Sequence, residues 1–291
     1  HFGTSSSDEG YDIRADINGD DLVNFADFLL FTQDFGKVAI DAPSTTRASK
    51  VTPKQAGANN QAEMSLKIDG LAKMGEDLVV EVDLSQATAL SGWGVTVGFD
   101  ATQYEFVQAT APEGHLLSGS GNDAPIFLVH SDKAGQVSLA NALTGDGTAT
   151  GEGSLARLVF RPKGEFEDVR FEVFEGVLFD ANRLENPASS AVLNVRAVPS
   201  EFGLAQNYPN PFNPETTITY DLAADSNVRL EIYNVMGQLV RTLVSDQQAA
   251  GRYRISWLGD NSLGHQVASG VYFYRIQADG FHSVKKLMLL K

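Results

Sequence analysis

The chain has 291 residues, 43% of them apolar, with 27 Gly, 17 Phe, no Cys and a formal net charge of −15. That length suits two domains of ordinary size with residues to spare, and the apolar share can fill real cores. Lack of Cys excludes a disulfide framework, a thiolate metal site and a Cys nucleophile, and the acidic balance does not suit nucleic acid, whose phosphates demand Lys and Arg.

Residues 1–36 carry eight acids against the single base Arg14. Within them, Asp16–Asp27 places side-chain oxygens at loop positions 1, 3, 5, 9 and 12 (Asp16, Asn18, Asp20, Asn24, Asp27), with the backbone carbonyl of Leu22 at position 7. Calcium takes roughly six to eight hard oxygen ligands, and a loop of this length supplies them from alternate positions. Asp21 stands at position 6 where the EF-hand has Gly, and Asp27 at position 12 where it has Glu. The same residues also read as an acidic turn whose Asp and Asn cap a helix. A helix is expected to follow, to about Phe35, ended by Gly36. Phe25, Phe28, Leu29, Leu30, Phe31 and Phe35 make it apolar over most of its circumference. So short a segment cannot bury those rings by itself. They are expected to bind a partner: another domain, a second chain, or a second repeat. The run "DINGDDLVNFADFLLF" resembles one calcium repeat of a dockerin module, which implies calcium as the bound ion. Dockerins carry a pair of such repeats, and one is present here.

Residues 37–61 read as a linker or arm, interrupted by Pro43, Pro53 and Gly57; Val38–Ile40 within it could pair at a sheet edge. From 62 to 197 the period switches to two. Met64, Leu66 and Ile68 alternate with polar residues, as do Leu78–Leu84 and Trp93–Phe99. Further strands are expected at Tyr104–Ala109, Ile126–His130, Val137–Ala142, Ala156–Arg161, Val169–Phe174 and Val192–Arg196, about nine in all, as in a β-sandwich or jelly roll. "LVVEVDLSQATALSGWGVTVGFDATQYEFV" and "VSLANALTGDGTATGEGSLARLVFRPKG" resemble a cohesin domain, the sandwich that receives dockerins.

Residues 198–291 open with "NYPNPFNPETTITYDL", where Pro209, Pro211 and Pro214 stiffen a loop. "VRLEIYNVMGQLVRTL" and "GRYRISWLGDNSLGHQVASGVYFYRIQADGFHSVKKLMLLK" complete the chain. Together these resemble the C-terminal sorting domain of the type IX secretion system, a seven-stranded Ig-like sandwich. That resemblance implies export across the outer membrane to the cell surface or medium. The chain opens on His1 without a basic leader, so any export signal is expected to have been removed. No apolar run approaches the roughly eighteen residues of a membrane-spanning helix.

Signatures of catalysis are thin. His1, His115, His130, His265 and His282 have no zinc-binding spacing, and no G-x-S-x-G elbow occurs. Gly145-Asp146-Gly147 and Gly151-Glu152-Gly153 are expected between strands and lack the phosphate-cradling pattern. Trp93, Trp257, Tyr272, Phe273 and Tyr274 form either a sugar-stacking face or, as their alternation favours, strand cores. The fold expected is mainly β: two sandwiches, one cohesin-like and one Ig-like, behind a short calcium loop-helix unit. The function expected is that of a secreted, non-enzymatic structural subunit that binds calcium and joins other copies of itself head to tail into filaments or surface assemblies. Docking of the helix on its own sandwich is the competing arrangement. The alternative function is a scaffoldin-like or carbohydrate-binding component of a polysaccharide-degrading system.

Overall fold

The computed structural model describes residues 4–8, 11–17, 19, 21–34, 62–120, 125–131, 133–144, 147–182 and 185–290. The expectations for Asn18, Asp20, Phe35 and the 37–61 arm lie outside those residues. The chain divides into two units, the first comprising residues 1–70, 77–163 and 169–195, the second 71–76, 164–168 and 196–291.

The first unit opens with two short strands, β1 (Thr4–Ser5) and β2 (Leu22–Val23), paired antiparallel, the second of them within the Asp16–Asp27 loop, and then α1 (Phe25–Asp34). Ten strands follow: β3 (Glu63–Ile68), β4 (Leu78–Leu90), β5 (Gly92–Phe99), β6 (Tyr104–Thr110), β7 (Ile126–His130), β8 (Gln136–Ala142), β9 (Ala149–Pro162), β10 (Asp168–Phe179), β11 (Glu185–Pro187) and β12 (Ala191–Arg196). They make two sheets, ordered β3-β4-β9-β6 and β11-β10-β5-β8-β7, with β12 also pairing with β10. The alternation read in the sequence sets the facing. Leu78, Val80, Val82 and Leu84 are buried from one sheet, and Trp93, Val95 and Val97 from the other. Rings tie the core together, with Phe160 centred 4.9 Å from Phe99 and 4.7 Å from Phe171. One strand exceeds the nine expected, the three-residue β11, which ends in Pro and is too short to show a period. Gly151–Gly153, expected between strands, lies inside β9.

The two outward faces differ in chemistry. On the β3-β4-β9-β6 sheet, Lys67 bridges Glu81 at 3.1 Å and Asp83 at 2.7 Å, and Arg161 meets Asp77 at 3.4 Å. That is a solvated, self-paired surface. The outward face of β5 instead carries glycines.

The second unit is a seven-stranded sandwich: β13 (Gly203–Leu204), β14 (Thr216–Leu222), β15 (Ser226–Asn234), β16 (Leu239–Gln248), β17 (Gly251–Trp257), β18 (Gly270–Ala278) and β19 (Phe281–Leu289). Sheets β13-β14-β17 and β16-β15-β18-β19 enclose a core of Ile218, Tyr220, Leu230, Ile232, Trp257, Tyr274 and Leu287, among others. The buried Tyr274 hydroxyl donates to the Ala205 carbonyl at 2.7 Å and accepts the Asn207 N–H at 2.9 Å. The Asn207 amide in turn donates to Thr216 Oγ1 at 2.9 Å and to the Pro209 carbonyl at 3.1 Å, which pins the Pro-rich loop. Burial pushes the Tyr220 and Tyr274 phenols up to about 12. Residues 71–76 and 164–168 belong here through local bonds. Met74 N–H donates to the Val198 carbonyl at 2.8 Å, and Arg252 bridges Asp221 at 2.7 Å and Glu165 at 2.8 Å.

Candidate functional site

The Asp16–Asp27 loop closes on two buried carboxylates. Asp16, 8% exposed, accepts the Gly19 N–H at 2.7 Å on Oδ1, and the Asp21 N–H at 3.0 Å and the Tyr11 hydroxyl at 2.6 Å on Oδ2. Asp27, 2% exposed, accepts the Ile17 N–H at 2.7 Å on Oδ1 and the Asn24 N–H at 2.9 Å on Oδ2. The Ile17 bond joins the two ends of the loop. Asn24 Oδ1 accepts the Ala26 N–H at 2.7 Å. Asn24 and Asp27 therefore cap α1 reciprocally, from the N-cap and from the third helical position. The backbone at Asp21 has φ 70°, the left-handed conformation for which calcium loops keep Gly at position 6. The hydrogen bond to Asp16, aided by burial, pushes the Tyr11 phenol up to about 12.

Of the six positions read as ligands, Asp16, Leu22, Asn24 and Asp27 are described. Leu22 sits opposite Ser5 in the β1–β2 pair. Among the described residues, no three His, Cys, Asp or Glu side chains gather as a metal site.

Helix α1 lies on its own unit. Phe25, 5% exposed, clusters with Ala140, Ala142, Val177 and Phe179, and Phe28 and Leu128 pack against that cluster. Of the other helix residues read as partner-binding, Phe31 is 46% exposed, and the side chains of Leu29 and Leu30 lie outside the described set. The register explains the seat. Gly92 and Gly94 of β5 lie opposite Ala142 and Ala140 of β8, and opposite Phe179 and Val177 of β10. On β7, Ile126 and Leu128 face the same two alanines. The floor is thus Gly and Ala, and the walls are large apolar side chains. A Cβ built on Gly94 would stand 2.3 Å from Cγ of Phe25, so only glycine lets the ring reach the sheet. The floor turns polar further along β5, where Thr96 and Ser138 share a 3.0 Å hydrogen bond. Beyond that, the ring of Phe174, from a bulge in β10, covers Gly98.

These sheet residues were not read as a site. The signal was present in "GWGVTVGF", where glycines hold three of the four outward positions of a strand whose inward positions are bulky. The aromatic residues weighed for sugar stacking resolve as core: Trp93, Trp257, Tyr272 and Tyr274 are buried, and Phe273 is half-buried.

The FlgD Ig-like domain family matches residues 211–280, within the second unit. Comparison with curated proteins gives no match. Among solved structures, the chain is similar to a cohesin module from a Clostridium perfringens family 33 glycoside hydrolase, at 11% identity and TM-score 0.41, over 48% of this chain and 98% of that one. It is similar to a non-cellulosomal cohesin from the archaeon Archaeoglobus fulgidus at 16% identity and TM-score 0.38, over 48% and 94% of the two chains. The sixth cohesin of Acetivibrio cellulolyticus scaffoldin B, solved in complex with a Cel5 dockerin mutant, is matched at 19% identity and TM-score 0.36, over 46% and 98%.

Proposed function

We propose that this protein is a secreted, non-catalytic assembly protein. Its β10-β5-β8-β7 face is the socket, and a calcium-stabilised loop and helix is the plug. The single observation that carries the reading is the Phe25 ring lying where a Cβ of Gly94 would be. A socket with a glycine floor and apolar walls accepts an aromatic anchor at Gly94, and the carboxylate on this face, Glu175, lies further along, where it accepts the Thr96 hydroxyl at 3.4 Å. The acidic loop suits a hard cation, because four carboxylates within twelve residues repel one another without one. Asp16, Asn18, Asp20, Asn24, Asp27 and the Leu22 carbonyl would hold calcium. The ion would supply positive charge that orders the loop, and with it the first turn of α1. The left-handed backbone at Asp21 supports this reading.

Plug and socket on one chain are different surfaces, so contact between copies is heterologous and extends head to tail unless a rotation closes it into a ring. The sequence of the second unit supports export and a place at the cell surface or in the medium. Sedimentation velocity from micromolar to millimolar protein tests the reading. Expected is growth of the species with concentration in calcium, reversed by EDTA. A monomer at every concentration in both buffers would overturn it.

A further inference from the structure

We infer that α1 is an intramolecular inhibitor of assembly: each chain's own helix occupies the face that would receive a neighbour's. This rests on the plug-and-socket reading and adds how the socket is regulated.

The structure supplies the occupant. Phe25 fills the Gly94 notch of the same chain, with Ala140, Ala142, Val177 and Phe179 around it. A neighbour's Phe25 and the chain's own cannot share that notch, because one ring already fills it, 2.3 Å from where a Gly94 Cβ would be. The two occupants therefore compete. The chain between α1 and β3, residues 35–62, can extend to roughly 100 Å at most, so its length permits a helix to reach either its own sheet or a neighbour's. Within one chain, tethering presents the helix to its own face at an effective concentration on the order of millimolar. A neighbour at micromolar concentration loses that competition by about a thousandfold. Assembly is then held back until chains are crowded, as on a surface, or until something else draws the helix away.

Two complementary full-length variants test this. Gly94→Val blocks the notch and leaves the helix intact. Phe25→Asp removes the anchor and leaves the notch open, and an acid at the first helical position favours the helix N-terminus, so the loop and helix are retained. Circular dichroism and thermal melts establish that both variants fold. In calcium, each alone should sediment as a monomer at micromolar concentration. Mixed, they should form a 1:1 dimer, because one brings a free helix and the other a free socket. That dimer should bind on the order of 100-fold more tightly than the wild type associates with itself. If the wild type associates as tightly as the mixed pair, inhibition is refuted while the plug-and-socket reading stands. If the folded variants fail to pair at any concentration, both fall. A Gly94→Ala variant, whose Cβ alone would stand 2.3 Å from the Phe25 ring, should pair with Phe25→Asp as Gly94→Val does. An Ala variant that keeps its own helix seated and does not pair would count against competition for the notch.

Discussion

Asp21 holds φ at 70° in a loop whose neighbours bond to Asp16. A residue with a Cβ pays about 1 kcal/mol for that conformation, somewhat less for Asp, and glycine avoids it. Asp21→Gly should therefore stabilise the loop and α1 by roughly 0.5–1 kcal/mol, read as slower local opening in amide exchange. Faster opening would mean that the carboxylate contributes more than the backbone costs. Asn24→Ala has the opposite sign. It removes the acceptor for the Ala26 N–H and should cost α1 about 0.5–2 kcal/mol, read by the same exchange. Gly94 shows how a residue with no side chain can decide binding, because its role is the space it leaves for Phe25.

At the scale of elements, α1 is too short to persist in water by itself, since helices below roughly a dozen residues are marginal alone. It is fixed from two sides, by its cap at Asn24 and Asp27 and by the Phe25 seat on β5 and β8. Strand β18 carries a different dependence, on alkaline pH. The Tyr274 phenol titrates near 10 in the unfolded chain and is pushed up to about 12 by burial. The folded state keeps the proton longer, so this contribution is fully present below pH 10 and is lost as pH rises through 12. Tyr220 on β14 adds a loss over the same window. Tyr274→Phe should flatten the alkaline fall in stability between pH 10 and 12, seen in chemical denaturation followed by Trp257 fluorescence in a Trp93→Phe background. It should also lower stability at neutral pH by about 1 kcal/mol, for the hydrogen bonds to Ala205 and Asn207. An unchanged alkaline slope would contradict the assignment.

Across the whole molecule, much of the architecture was legible because burial on one side of a strand writes a period of two into the chain. Leu78–Leu84 and Thr216–Leu222 show it plainly and alternate in burial as that period implies, whereas in Trp93–Phe99 the outward Gly94, Thr96 and Gly98 are buried as well, because that face is covered. The excess apolar surface of α1 was legible too, as too many rings for too few residues. Its cover was not, because the socket is defined by the smallness of Gly92, Gly94, Ala140 and Ala142, and small residues in a strand read as weak strand rather than as a receiving surface. The register that lines those four residues up across β5 and β8, Gly92 with Ala142 and Gly94 with Ala140, depends on pairing between segments far apart in the chain, which periodicity does not reveal. Strand β11 was missed for a related reason, since it exists only by pairing with β10. The central claim is that the N-terminal helix is seated on this sheet through Phe25 and Gly94. Amide hydrogen exchange on the full chain, comparing wild type with Gly94→Val, tests it most directly. The account predicts that residues 25–34 are protected in the wild type and exchange rapidly in the variant, while β4 and β9 remain unchanged. Equal protection of the helix in both proteins would contradict it.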